Sequence, residues 1–270
     1  MSDGKVTLAA GGRRPGIRGK MPIAATAGPV SFWMIIFVML PLIYVFVISF
    51  MTRTQYGGIE YSFTFDNYKE ILNPLYLKVI WKSLKLAFLT TVICLVVGYP
   101  LAYWIASKPS KLAAKLLMLV MIPYWTSSLV RLFSINLLVM PNGLLVAMLP
   151  FSVLPLYSSI EKMDKSLIEA SKDLGANAVT TFRKVTIPQT MPGIVGCTLL
   201  VFIPSLGMYY VPEMLGGGKV MLVGTLVKNQ FLVTKNWPFG ASLAILLILI
   251  TLAMLWLYTR IGKLDDLEVC

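Results

Sequence analysis

Few residues in this 270-residue chain have the types and spacing that chemistry needs. The run Gly216 to Val220, GGGKV, has the composition of a loop that cradles phosphates. It fails on spacing, because Val220 stands where Ser or Thr must hold magnesium and Glu213 takes the first glycine position. The chain has no histidine, which removes the commonest metal ligand and general base. Cys94 and Cys197 lie in apolar blocks and read as small apolar fillers. With Cys270 they fit neither a zinc site nor a disulfide framework. No cluster of His, Cys and carboxylates is available, so the chain is expected to be non-catalytic and to bind no metal or cofactor itself.

Two constellations remain. The first is the stretch from Ser158 to Pro192, SSIEKMDKSLIEASKDLGANAVTTFRKVTIPQTMP. A helix is expected from Asp164 to Leu174, with Leu167, Ile168, Ala170 and Leu174 at helical spacing. Gly175 ends it as a residue free to turn left-handed. A second helix is expected from Ala178 to Val185, with Pro188 marking its exit. Such short amphipathic helices either dock in a groove of a partner or lie on a membrane surface. The second constellation is Glu213 with Trp125 and Tyr210. Glu213 is the only acid between the last two apolar blocks. A carboxylate beside aromatic faces suits an organic cation, although aromatics also anchor spans at the interface and an acid there can simply be solvated.

The elements that would position these residues are membrane spans. Of all residues, 57% are hydrophobic and 13% charged, against about 25% charged in a soluble domain. Six spans can be drawn: 29–50, 84–105, 116–140, 144–157, 191–209 and 238–258. The expectation is an all-α polytopic membrane protein with a flexible basic extension at 1–28, a membrane domain at 29–258 and a tail at 259–270. The net charge of +12 does not form a stripe for nucleic acid. The basic residues gather instead at span ends, notably in the segments holding Arg13, Arg14, Arg18, Lys108, Lys111, Lys115, Lys172, Arg183 and Lys184. That bias predicts both termini in the cytoplasm. The segment Met51 to Val79 is too long for a tight turn, and Asp66 could cap a helix running through Tyr68 to Leu72. Its aromatics suit either a docking surface or the headgroup layer.

EASKDLGANAVTTFRKVTIP resembles the EAA motif of bacterial ABC importer permeases. Glu169, Ala170, Gly175 and Pro188 match it, while Ser171, Val185 and Ile187 stand in for alanine, isoleucine and leucine. The resemblance implies a type I importer permease fold. It implies that Glu169, Ala170, Ser171, Gly175, Ile187 and Pro188 belong to coupling helices seated on a separate ATPase, which holds ATP and magnesium. The strings IPYWTSSLVR, MYYVPEMLGGGK and KNQFLVTKNWPFGAS resemble more narrowly the spermidine/putrescine permeases. That family implies a second, homologous permease, an ATPase homodimer and an extracytoplasmic binding protein as partners. It also implies that Trp125, Tyr210 and Glu213 line a polyamine path, with Glu213 where aspartate is usual. A permease for another small solute, such as iron, thiamine or a sulfonate, is the alternative. The family carries roughly 25 to 30 more residues between the regions matching Arg131 to Leu145 and Leu149 to Tyr157, so the fourth span is expected to fall short of a full crossing.

Overall fold

In lipid a backbone finds hydrogen-bond partners only within itself, so long uncharged apolar runs wind into helices. The computed structural model of the chain describes residues 23–55, 57–125, 143–210, 213 and 221–261, and it is helical almost throughout. Helix α1 covers Ile23–Ile48 and starts inside the segment expected to be flexible. The portion of α1 up to Val45 stands as one unit, and the chain from Phe46 onward as another. Among the described residues, three helical stretches are long and apolar enough to cross a membrane: Gly28–Ile48, Pro74–Ala106 and Trp237–Leu257. A bent pair, Ala178–Gln189 with Met191–Gly207, could make a fourth.

The third expected span is only partly described. Helix α4, Ser110–Trp125, covers its first half, and residues 126–142 lie outside the described residues. The fourth expected span is longer than the sequence suggested. Helix α5 runs Gly143–Glu161, 19 residues, which at about 1.5 Å per residue comes to about 28 Å, close to the hydrocarbon thickness. Ser158 and Ser159 are polar but do not break a helix, and the Lys162 N–H still donates to the Ser158 carbonyl. The helix thus runs four residues past Tyr157, yet among the described residues it is not one of the stretches long and apolar enough to cross a membrane.

The segment after α1 holds a feature the sequence did not announce. Strands β1, Met51–Arg53, and β2, Ile59–Phe63, pair antiparallel across a turn in which Gly57 and Gly58 have φ of +88° and +112°. Helix α2, Asp66–Ile71, follows, with Phe65 rather than Asp66 at the capping position. Asp66 lies in the first turn, where the Thr64 hydroxyl bonds its carboxylate and Lys69 adds an ion pair. These hold its carboxyl below the usual range. The buried Asn67 amide donates to the Ser49 and Met51 carbonyls and so ties the hairpin down. Phe50 packs its ring against Phe63, Phe65 and Tyr68.

Helix α3, Pro74–Ala106, begins with the Asn73 side chain accepting from the Leu75 N–H. Its 33 residues come to about 50 Å, so it outruns a hydrocarbon core of about 30 Å. It packs against α5 and α8, Met191–Gly207, around Cys94, Ala102, Ile105, Val153, Leu156, Cys197 and Val201. Cys94 and Cys197 are almost wholly buried there, as expected of small fillers. A second cluster joins α2 and α3 to α9, Val223–Leu232, and α10, Trp237–Ile261, around Phe239 and Leu243.

Candidate functional site

At the end of α5 the chain turns at Asp164, whose side chain accepts from the Ser166 N–H and caps helix α6, Lys165–Asp173. Hydrogen bonds from the Ser166 hydroxyl and backbone hold the Asp164 carboxyl below its usual range. Helix α6 ends in a Schellman arrangement. The Ala176 N–H reaches the Ser171 carbonyl at 3.0 Å and the Gly175 N–H reaches that of Lys172 at 2.8 Å. Gly175 has φ of +77°, the left-handed conformation that the sequence assigned to it.

Asn177 caps the next helix, α7, Ala178–Thr181, by accepting from the Thr180 N–H. The chain does not leave the helix at Pro188. A π turn over Phe182–Thr186 continues α7 into a last turn, Ile187–Gln189. A proline ring collides with the carbonyl four residues back, and the wider π winding relieves that crowding. Here the Ile187 N–H donates five residues back, to Phe182. The break comes instead at Thr190, where the helix axis turns by 67° into α8.

Ile168 faces α3 across an open cleft of about 570 Å³ lined by Tyr99, Tyr103, Trp104, Lys172 and Phe182. The Ser171 hydroxyl donates to the Ile168 carbonyl at 2.9 Å and lies 2.9 Å from the Thr181 hydroxyl, which fastens α6 to α7. Ser171 thus has a role inside the loop. Glu169 and Ala170 are exposed, and among the described residues the Glu169 carboxylate makes no hydrogen bond or ion pair. Ile187 is half-buried and Pro188 exposed. Of the apolar positions on the loop, Leu174 is 87% exposed and Val179 is 74% exposed. They form an apolar tip that nothing in the chain covers among the described residues.

Glu213 and Tyr210 lie beyond the far end of α8, away from this loop. The Glu213 carboxylate is paired with Lys228 of α9, at 2.5 and 2.7 Å from its two oxygens. The Lys228 ammonium also sits 5.7 Å from the Tyr209 ring centroid. Tyr210 meets Tyr209 edge to face, with centroids 6.0 Å apart, and packs against the α3–α5–α8 core. Trp125 is 71% exposed at the end of α4, and no described contact joins it to the other two. Sequence reasoning missed Lys228 and Tyr209 as partners of Glu213. The only available signal was that Lys228 interrupts an otherwise apolar stretch.

Residues 98–264 match the family described as "Binding-protein-dependent transport system inner membrane component". The chain belongs to this family. It is 39% identical to the "Spermidine/putrescine transport system permease protein PotB" of Haemophilus influenzae, over 90% of this chain and 95% of that protein. It is also 39% identical to the Escherichia coli protein of the same name, over 88% of this chain and 96% of the other. The chain is similar in fold to a bacterial ABC transporter chain involved in import of the acidic polysaccharide alginate, with a TM-score of 0.67, 14% identity and coverage of 90% and 95%. It is likewise similar to a chain of the inward-facing MetNI methionine ABC transporter, with a TM-score of 0.56, 20% identity and coverage of 68% and 93%. These likenesses are to permease folds, so the chain is a mostly helical importer permease of the membrane, with one short hairpin.

The alignment with the Haemophilus influenzae relative spans 272 positions, whereas 90% of 270 residues is about 243. The relative therefore has about 29 residues with no counterpart here. That is the size of the absent stretch expected before Leu149.

Proposed function

We propose that this permease carries polyamines, spermidine or putrescine, inward across the bacterial cytoplasmic membrane. It would pair with a second, homologous permease and receive its cargo from an extracytoplasmic binding protein. The observation that carries the reading is the 39% identity to spermidine/putrescine permeases across about nine-tenths of the chain, well beyond the loop common to importers.

The loop from Ser158 to Pro192 docks onto an ATPase homodimer, with the Leu174 and Val179 tip in its groove and both termini on the same, cytoplasmic side. ATP and magnesium reside on that partner, and this chain performs no hydrolysis. Closure of the two ATPase subunits is a rigid-body movement, and a stiff lever is needed to transmit it. The helix pair α6–α7, fastened by Ser171 and Thr181 and turned at Gly175, suits that lever. Trp125, Tyr210 and Glu213 lie along the substrate path in this reading, where few acids permit release as well as binding.

The test is reconstitution of the four kinds of subunit in proteoliposomes with radiolabelled spermidine and putrescine. ATP-dependent accumulation of either is expected. Accumulation that follows a proton or sodium gradient without ATP, or none with either polyamine, overturns the reading.

A further inference from the structure

The surroundings of Glu213 have a chemistry of their own. Both carboxylate oxygens contact one ammonium, that of Lys228, and the same ammonium lies near the face of Tyr209. A carboxylate with an aromatic face is the pair of groups that binds a primary alkylammonium, by charge-assisted hydrogen bonds and by cation–π attraction. Lys228 is a primary alkylammonium on a four-carbon stem. Glu213 and Tyr209 are held together locally, since the Glu213 N–H donates to the Tyr209 carbonyl at 3.2 Å. Lys228 comes from a separate element. Its helix α9 is anchored by the buried Val223, Leu226 and Gln230, so the lysine reaches the carboxylate from an element that is fixed independently of Glu213. The lysine and glutamate side chains leave 25% and 41% of their surface uncovered by the chain, so the carboxylate is open to a second cation.

We propose that Glu213 and Tyr209 form an ammonium subsite which Lys228 fills from within the chain, and that a substrate ammonium takes its place by displacing Lys228. The proposal rests on the polyamine reading above and adds the competitor. The pair is partly open, and an ion pair that water reaches is weaker than a buried one, so the tether neutralises Glu213 when no cargo is present and can yield to a second cation. The apparent affinity for cargo is lowered by the fraction of time the lysine is in place.

A structural ion pair and a tethered competitor make opposite predictions for the two partners. The purified complex of both permeases and the ATPase, without binding protein, is dialysed to equilibrium against radiolabelled spermidine. Lys228→Met is expected to tighten binding by about threefold to tenfold, because the internal competitor is gone. Lys228→Gln keeps a polar end on a side chain one atom shorter and is expected to do the same, which covers the case of a Met variant that does not assemble. Glu213→Gln is expected to weaken binding by about tenfold or more, since a charged partner is lost. Weaker or unchanged binding in both lysine variants overturns the proposal. A wild-type importer that takes up neither polyamine overturns the polyamine reading and this proposal with it. Normal wild-type uptake with lysine and glutamate variants shifted in the same direction overturns this proposal alone.

Discussion

The phenol oxygen of Tyr99 lies 2.9 Å from the hydroxyl of Thr190, a residue 91 positions later in the chain. Thr190 is fully buried and already donates its one proton to the Thr186 carbonyl at 2.8 Å. The phenol is therefore the donor, and Thr190 the acceptor. Tyr99 also sets its ring edge-on against Phe182 at 5.6 Å. One side chain of α3 thus holds both the π turn that leads out of α7 and the 67° elbow that leads into α8. Tyr99 is one direct link between the loop and α3.

Tyr99→Phe keeps the ring contact and deletes the hydrogen bond. A net loss of about 1 kcal/mol is expected for a bond of this kind, too little to unfold the chain. The elbow becomes looser, so ATP is spent with less transport. In reconstituted importer the ratio of cargo moved to ATP hydrolysed should fall while hydrolysis itself persists. An unchanged ratio would remove Tyr99 from the linkage.

Leu174 and Val179 are the apolar residues most exposed on the loop, at 87% and 74%. Burying a leucine side chain in a partner's groove is worth about 1.5–3 kcal/mol, which corresponds to roughly tenfold or more in affinity. On the docking proposed above, Leu174→Asp removes that gain and places a charge in the groove. The variant chain should accumulate in the membrane as the wild type does, because Leu174 supports nothing within it. Co-purification of the ATPase in detergent should drop sharply. Retention of the ATPase at wild-type levels would show that the docking surface lies elsewhere.

Gly175 meets no neighbouring atom within 4 Å of where a Cβ would stand, so crowding does not explain the glycine. Its φ of +77° does. A side chain there costs roughly 1–2 kcal/mol in the left-handed region, and asparagine tolerates it best. Gly175→Val should misalign α6 against α7 and weaken ATPase binding, while Gly175→Asn should retain most of it. Pull-down of the ATPase from membranes carrying each variant separates the two. Equal loss in both would point to space rather than to backbone conformation.

The parts of this site that could be read from sequence are those held by neighbours along the chain. Gly175 was read as the end of α6 from its residue type, and its bonds span three to five residues; Asp164 was placed inside the helix that it caps, and the cap at Asn177 was not read. The elbow at Thr190 was misplaced to Pro188 because proline is the loudest local signal. The actual break is stabilised by Tyr99, which no local pattern connects to it. The partnership of Glu213 with Lys228 bridges two separate elements, and for that reason the acid was read without its cation. The hairpin after α1 escaped notice because its strands are three and five residues long. What holds them is Asn67, from the following helix. The end of α5 was misjudged because two serines resemble a boundary in composition, though they cost a helix little.

Helix packing in lipid relies on close backbone approach, since apolar side chains gain little by leaving an apolar solvent. Gly193 on α8 allows one such approach, to α5. A Cβ there would stand 2.4 Å from the Ser159 Cβ and 2.7 Å from the Pro155 carbonyl oxygen of α5. The second of these is backbone and cannot rotate away. Gly98 on α3 is different, because its nearest obstacle is the Ser152 hydroxyl, at 2.6 Å. That hydroxyl bonds the Leu149 carbonyl and can turn to another rotamer at modest cost. Gly193→Ala should therefore force α8 away from α5, tilt the elbow at Thr190 and lower the amount of folded chain recovered from membranes. Gly98→Ala should be milder. Comparing recovery of the two variants with and without a Ser152→Ala background checks the mechanism. The background change should rescue Gly98→Ala and leave Gly193→Ala unimproved, because its obstacles are the Ser159 Cβ and the carbonyl of Pro155.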